Sequence, residues 1–233
     1  CGDVRVFDAV RGGGALLVRD AGRNVDALVA FEDLATGALR LASGSDDSKV
    51  RVFDAATGGK ALVVLEGHSS RLVALTAFTD PATGEPRLVS GAYDSVRVWN
   101  PAAGGAAIEA GPEGHSRVVK ALLTFVDPVT GALRVATGSN DIRVWDAETG
   151  GALLVIYVGS GVLALAFFVD PATGAPRLAC GCDDRKVRVV DPVAGGKALV
   201  VIDDVRAGAL AVFTDPATGA PRLAGGGVHG SEG

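Results

Sequence analysis

The sequence predicts an all-β fold made of copied four-stranded units. Three observations point to it: one strand pattern recurs at a nearly fixed interval, turn signals fall roughly every 8–12 residues, and no stretch carries a helical period. The recurring pattern is Val4-Arg5-Val6-Phe7-Asp8, Val50-Arg51-Val52-Phe53-Asp54, Val96-Arg97-Val98-Trp99-Asn100, Ile142-Arg143-Val144-Trp145-Asp146 and Val187-Arg188-Val189-Val190-Asp191, at intervals of 46, 46, 46 and 45. A second series, an Asp-Pro-Ala-Thr-Gly-like turn followed by Arg, starts at Asp33, Asp80, Asp127, Asp170 and Asp215 and runs in step with the first. Self-similarity at this period means one supersecondary unit copied and stacked, as in an array or a propeller.

The unit is clearest from Gly59 to Asn100. Residues 60–65 form a short apolar run that Glu66-Gly67-His68-Ser69-Ser70 ends. Residues 72–79 are aliphatic with little alternation, as in a strand covered on both faces. In Asp80-Pro81-Ala82-Thr83-Gly84 the Asp caps a turn, Pro presets the next φ, and Gly takes a left-handed position. Residues 87–91 and 96–99 are two more strands, joined by Ala92-Tyr93-Asp94-Ser95, and Asn100-Pro101-Ala102-Ala103-Gly104-Gly105 turns the chain into the next copy. The link before the third strand shortens from Asp47-Ser48-Lys49 to Asp94-Ser95 and then to Asp141, so connectors absorb the length differences while strands hold register. Asp80 with Arg87, Asp127 with Arg134, Asp170 with Arg177 and Asp215 with Arg222 are expected to form exposed pairs across the hairpins, worth under about 1 kcal/mol each. The arginines of the third strands (Arg5, Arg51, Arg97, Arg143, Arg188) are expected to be solvated positions alternating with buried Val.

Composition narrows the class. With 48% hydrophobic and 21% charged residues and 33 glycines, the chain suits a turn-dense globular protein and not a disordered one. Its longest apolar runs, such as residues 162–169, are strand-sized and fall short of the roughly 18 residues of a membrane span. A net charge of −5 argues against a basic nucleic-acid footprint. Cys180 and Cys182 stand two apart on a predicted strand, face the same side and do not easily bridge. Three cysteines are few for a disulfide scaffold, and an intracellular, cytoplasmic location is expected. The chain starts at Cys1 with no signal-peptide pattern and is read as a piece of a longer protein, with the unbroken repeat arguing for one domain over residues 1–233.

Gly67-His68 followed by Ser90-Gly91, Asp94 and Trp99-Asn100, then Gly114-His115 followed by Thr137-Gly138, Asp141 and Trp145-Asp146, resemble the framework of WD-repeat β-propellers over the whole chain. The match is incomplete: Asn100 follows Trp99, the Trp position is Phe7, Phe53 and Val190 elsewhere, and no Gly-His pair precedes the copies near Val25, Val162 and Gly208. Those copies are expected to lack the family's internal hydrogen-bond network and to be looser. The resemblance implies four-stranded antiparallel blades, about residues 25–65, 72–110, 118–157 and 162–202. A composite fifth blade would be built from residues 208–226 and 4–18, closing a five-bladed ring with no open sheet edge. The alternative is an open arc of a larger, seven-bladed propeller.

His68, Ser90 and Asp94 hold the letters of a nucleophilic triad, but no strained nucleophile elbow precedes Ser90, and the set recurs as His115, Thr137 and Asp141 with Trp145 standing as Trp99 does. Recurrence points to a structural network joining buried polar groups. No paired Cys-x-x-Cys exists and the histidines lie in different copies, so no metal and no cofactor is expected. Gly58-Gly59-Lys60 and Gly195-Gly196-Lys197 resemble a fragment of a phosphate loop, yet occupy the same inter-strand turn and read as turns.

The resemblance further implies that partners dock at loops beside the turn Asp and the Gly-His position: Asp46, Ser70, Arg71, Tyr93, Ser116, Arg117, Asn140 and Asp183, with Arg23 and Arg206. Tyr93 is the leading anchor, since exposed Tyr and Arg are favoured there. The expected function is a noncatalytic scaffold that binds a protein or peptide, with no membrane or nucleic-acid partner. Alternatives are a propeller enzyme with a site at the central channel, which the small aliphatic first strands disfavour, or an adaptor module joined to further domains of a signalling or regulatory protein.

Overall fold

Short runs of Val, Leu, Ile and Phe bounded by Asp, Gly and Pro give strands throughout the computed structural model, which describes residues 2–80, 83–104, 107–109, 115 and 117–227. The fold is all-β: among the described residues no helix forms, and none is long and apolar enough to cross a membrane. The chain divides into two compact units, residues 1–110 and 111–233.

The first unit begins with the two-stranded antiparallel sheet of β1 (Asp3–Val6) and β2 (Leu17–Asp20). Two four-stranded sheets follow: β3 (Val25–Asp33), β4 (Ala38–Ser45), β5 (Val50–Asp54) and β6 (Val63–Leu65), then β7 (Leu72–Thr79), β8 (Pro86–Ala92), β9 (Val96–Trp99) and β10 (Ile108–Glu109). In the second unit β11 (Ala121–Val126), β12 (Leu133–Gly138), β13 (Ile142–Asp146) and β14 (Ala152–Ile156) make one sheet. A second contains β15 (Val162–Val169), β16 (Pro176–Cys182), β17 (Val187–Val190) and β18 (Val200–Ile202). The last two strands, β19 (Ala209–Thr214) and β20 (Pro221–Gly226), pair with each other. Each four-stranded sheet is antiparallel and runs in sequence order.

Within each unit the sheets meet through their first strands, β3 against β7 and, in the second unit, β11 against β15 and β15 against β19. Their small residues, Ala74 on β7 and Ala164 and Ala166 on β15, are buried and permit this approach. Val50, Leu65, Leu72, Leu88 and Trp99 fill the core of the first unit. Ile142, Ile156, Val162 and Leu178 do the same in the second, where Phe125 stacks on Phe167 at 4.6 Å.

The turn between the first and second strands is built alike in five copies. In the copy at Asp127, the Gly131 N–H donates to the Asp127 carbonyl (2.8 Å), the Asp127 N–H donates to Ala132 (2.9 Å), and the Thr130 hydroxyl donates to the Asp127 carboxylate (2.8 Å). Gly131 sits at φ +70, the left-handed region that a side chain disfavours. The acid that ends the third strand caps the next turn: Asp146 Oδ1 accepts from the Glu148 and Thr149 N–H groups, and Asn100 Oδ1 accepts from Ala102 and Ala103 in the same way. The cap itself needs only a carbonyl-type oxygen, which Asn100 also supplies.

The first sheet, β1–β2, and the last, β19–β20, are two-stranded and belong to different units. Two expectations are corrected. Three of the third-strand arginines are not solvated, whereas Arg5 is, with 56% of its side chain exposed. Arg51, Arg143 and Arg188 have side chains largely withdrawn from water and reach the aspartate of their own hairpin, Asp47, Asp141 and Asp184. The hairpin pairs form at Asp80–Arg87, Asp170–Arg177 and Asp215–Arg222, but Arg134 pairs with Asp146 and not Asp127. Arg40 and Arg177 each bridge the turn aspartate and the aspartate that ends the third strand (Asp33 and Asp54; Asp170 and Asp191), which shields these pairs more than an isolated hairpin would.

Candidate functional site

Two polar networks lie inside the sheets. In the sheet of β7 to β10, Trp99 Nε1 donates to Ser90 Oγ (2.7 Å), Ser90 Oγ is 2.7 Å from His68 Nε2, and His68 Nδ1 is 2.8 Å from Asp94 Oδ1. Burial alone would raise the Asp94 carboxyl, but the Ser69 N–H (2.8 Å) and His68 hold it below the usual carboxylate range. An ionised Asp94 accepts only, so His68 Nδ1 donates to it, His68 Nε2 accepts from the Ser90 hydroxyl, and Ser90 accepts from Trp99. His68 Nδ1 also lies 3.4 Å from Ser95 Oγ. The second network repeats this in the sheet of β11 to β14: Trp145 Nε1 to Thr137 Oγ1 2.8 Å, Thr137 Oγ1 to His115 Nε2 2.6 Å, and His115 Nδ1 to Asp141 Oδ1 2.6 Å. Burial pushes the His115 imidazole below its ordinary value, although Asp141 pulls the other way, so the ring is neutral near pH 7.

A Ser-His-Asp chain of these lengths could activate a hydroxyl, but chemistry also needs access. Ser90 is fully buried in β8, and its oxygen already accepts the indole N–H of Trp99. A substrate carbonyl cannot come within about 3 Å of that oxygen without parting the sheet. Among the described residues no group of three or more His, Cys, Asp or Glu side chains is gathered to hold a metal ion.

The sheets without the histidine solve the same problem differently. In the sheet of β3 to β6, Arg51 Nη1 and Nη2 donate to both oxygens of Asp47 (3.0 and 2.6 Å). Ser43, opposite Arg51 as Ser90 is opposite Arg97, is fully buried and its hydroxyl has no partner, because Phe53 stands where Trp would donate. In the sheet of β15 to β18 the corresponding residue is Cys180, opposite Arg188, and Val190 replaces the indole. Cys180 and Cys182 are free thiols with sulfurs 3.8 Å apart. The hydrogen bond between them, together with burial, pushes the Cys180 thiol up.

The loop residues assigned to partner binding fall into separate groups. In the first unit the structure brings together Arg71, Asp46 and Tyr93. Arg71 donates from Nε and Nη2 to Asp26 (2.9 and 2.5 Å), and its Nε also lies 2.8 Å from Asp46 Oδ1. The Asn24 amide donates to Asp46 Oδ2 (2.9 Å), and the Tyr93 N–H donates to the Arg71 carbonyl (3.3 Å). Arg71 is therefore not a free anchor: its hydrogen bond to Asp26 raises its affinity for the proton, and Arg71 holds Asp26 below the usual carboxylate range. Ser70 is half-buried nearby in sequence. Tyr93 is 51% exposed beside this network. In the second unit Arg117 and Asn140 are exposed, and Asp183 pairs with Lys120 at 3.5 Å. Ser116 lies outside the described residues.

Asn24, Asp26 and Lys120 escaped the sequence reading. Asp26 occupies the β-bulge at the start of β3, where Val73 and Leu163 occupy the bulges of β7 and β15, and a bulge re-aims its extra side chain. The signal was present: a polar residue inside Val25-Asp26-Ala27, against Leu72-Val73-Ala74 and Val162-Leu163-Ala164. No protein-family model matches the chain, and no curated protein is significantly similar to it.

Proposed function

We propose that the chain is a noncatalytic protein–protein interaction scaffold of the WD-repeat β-propeller kind, whose loop surface around Tyr93 receives a peptide or protein. The propeller reading is supported by four-stranded antiparallel sheets in sequence order, by first strands that face one another within each unit, and by the two His–hydroxyl–Trp networks. The observation that carries the binding reading is the half-exposed Tyr93 beside a prearranged Arg71–Asp26–Asp46 cluster. An aromatic ring with few rotatable bonds, set against polar groups already fixed by each other, loses little entropy when a partner arrives. Arg71 acts here by holding the two carboxylates in place beside the ring.

The test is affinity capture from cell lysate with the wild-type, Tyr93→Ala, Arg71→Ala and Tyr157→Ala chains, the last removing an exposed tyrosine elsewhere. A partner held by the wild-type and Tyr157→Ala chains and lost by the other two, with unchanged circular dichroism, is the expected result. Equal capture by all four chains removes Tyr93 and Arg71 from the binding surface.

A further inference from the structure

Two of the chain's three cysteines lie in one copy of the repeat, at positions where other copies carry serine, threonine or alanine. Cys180 and Cys182 stand where Ser43 and Ser45, Ser90 and Ala92, and Thr137 and Ser139 stand elsewhere. Two residues apart on β16, they point to the same face of the sheet, and their sulfurs lie 3.8 Å apart. Both are free thiols and fully buried. A disulfide needs its sulfurs about 2.05 Å apart, so β16 holds this pair too far apart to be bonded as it stands. Two thiolates on one metal ion keep a wider spacing. With metal–sulfur bonds of about 2.3 Å, they lie about 3.8 Å apart at a tetrahedral angle and about 4.6 Å apart in line.

The surroundings decide which ion the sulfurs suit. Where the network sheets place His68 and Trp99, or His115 and Trp145, this copy places Val158 and Val190, both buried. These valines share one apolar cluster with the two cysteines, Val162 and Leu178. Among the described residues no third His, Cys, Asp or Glu is gathered with the two sulfurs. Zinc, which takes four ligands, is left short there. A soft, closed-shell monovalent ion is not, since two thiolates satisfy it. Arg188 stands opposite Cys180 in the strand register, and its charge acts on the Cys182 sulfur, although Asp184 shares the guanidinium.

We propose that Cys180 and Cys182 form a two-coordinate site for Cu(I). Binding replaces two S–H bonds by two Cu–S bonds. Each thiol releases its proton to solvent, the metal keeps its oxidation state, and the complex carries one negative charge beside Arg188. The apolar walls exclude water and further ligands, which keeps the ion in the soft two-sulfur environment that selects it. Cys182 ends β16 at the hairpin of residues 183–186, and opening of that hairpin gives the ion its way in. The site lies wholly within the second unit and is independent of binding at Tyr93.

The test uses the full chain in a Cys1→Ser background, which leaves only these two thiols, and excludes oxygen throughout. Cu(I) is offered in competition with a coloured Cu(I) chelator. The chain is expected to take one ion from the chelator with no change in its sedimentation mass, and Cys180→Ser and Cys182→Ser are each expected to lose it. Serine stands at both positions in β4, so both variants are expected to keep the circular dichroism of the parent. X-ray absorption at the copper edge of the loaded parent needs no substitution, and is expected to show two sulfur neighbours and no nitrogen or oxygen. Equal capture by the parent and the serine variants, or capture by none of them, would overturn the proposal. So would a copper shell containing nitrogen or oxygen, or capture that doubles the mass and places the ion between two chains.

Discussion

Arg51 holds Asp47 through two parallel hydrogen bonds, 3.0 and 2.6 Å, in a sheet whose repeat has no histidine; in the next sheet His68 holds the corresponding Asp94 at 2.8 Å. In the four-stranded sheets without a histidine a neighbouring arginine takes this aspartate, and Asp141 takes both, His115 at 2.6 Å and Arg143 at 3.4 Å. The pair Arg188–Asp184 repeats the arginine solution at 3.0 and 2.6 Å in the other four-stranded sheet that lacks a histidine.

Double-mutant cycles should detect the exchange. Both side chains of the Arg51–Asp47 pair are under 20% exposed. Arg51→Ala and Asp47→Ala are expected to show a coupling of about 1–2 kcal/mol in urea unfolding. Lys49 with Glu66, which lies in water, should show about 0.5 kcal/mol or less. Equal coupling energies for the two pairs would count against the substitution of arginine for histidine.

Ser43 and Ser90 occupy one position of the repeat with opposite consequences. Ser90→Ala strips a partner from both the Trp99 indole and His68, and is expected to lower stability by about 2–3 kcal/mol. Ser43→Ala removes a buried hydroxyl with no partner, and is expected to leave stability unchanged or raise it by about 1 kcal/mol. Thermal and urea unfolding of the two variants checks this, and an equal loss for both would show that Ser43 is satisfied in solution.

The all-β class, the strand order and the turn chemistry were legible because they depend on local rules: alternation, an Asp-x-x-Thr-Gly turn, and a period that repeats. Residues 72–79 and 96–99 became β7 and β9 with those bounds. The grouping of His68, Ser90, Asp94 and Trp99 was legible through its recurrence as His115, Thr137, Asp141 and Trp145 and through the family resemblance, since spacing alone does not say which side chains meet across a sheet. The arginines misled for a physical reason. Alternation along β5 and β17 assigns Arg51 and Arg188 to the face opposite the buried valines, but does not say that this face is covered and carries an acid from the same hairpin. Arg71 misled similarly, because its partner Asp26 lies on a bulge that period-two reasoning does not register.

Stability should depend on pH through His115. Its folded-state affinity for a proton lies below the ordinary value of 6.5, so the unfolded chain binds the proton more readily. The stabilisation is fully present above about pH 6.5 and is lost as pH falls toward the lower folded value. The turn aspartates act in a separate window. Asp8, Asp54 and Asp215 are held below 3.8, mainly by backbone N–H groups, and their contribution is lost only as pH falls below that. Melting temperature followed from pH 7 to 5 is expected to fall less steeply in His115→Gln than in the wild type. Parallel slopes would show that His115 titrates alike in the folded and unfolded chains.

The last prediction concerns a compensation inside the repeat. Asn100 stands where other copies have aspartate, and the turn beside it carries Glu85 where the other turns carry Ala38, Ala132, Ala175 and Ala220. The Glu85 carboxylate accepts from Arg87 (2.8 Å) and from the Asn100 amide (3.2 Å), supplying the acid that Asn100 lacks. Asn100→Asp alone puts two carboxylates against each other and is expected to destabilise, even though its Oδ1 could still cap Ala102 and Ala103. Glu85→Ala alone takes one acid from Arg87. The double variant restores the arrangement in which Arg134 pairs with Asp146, and its stability is expected to exceed the sum of the single effects by about 0.5–1 kcal/mol. Urea unfolding of the four chains measures the term directly. Strict additivity would mean that Glu85 and Asn100 differ from their counterparts independently.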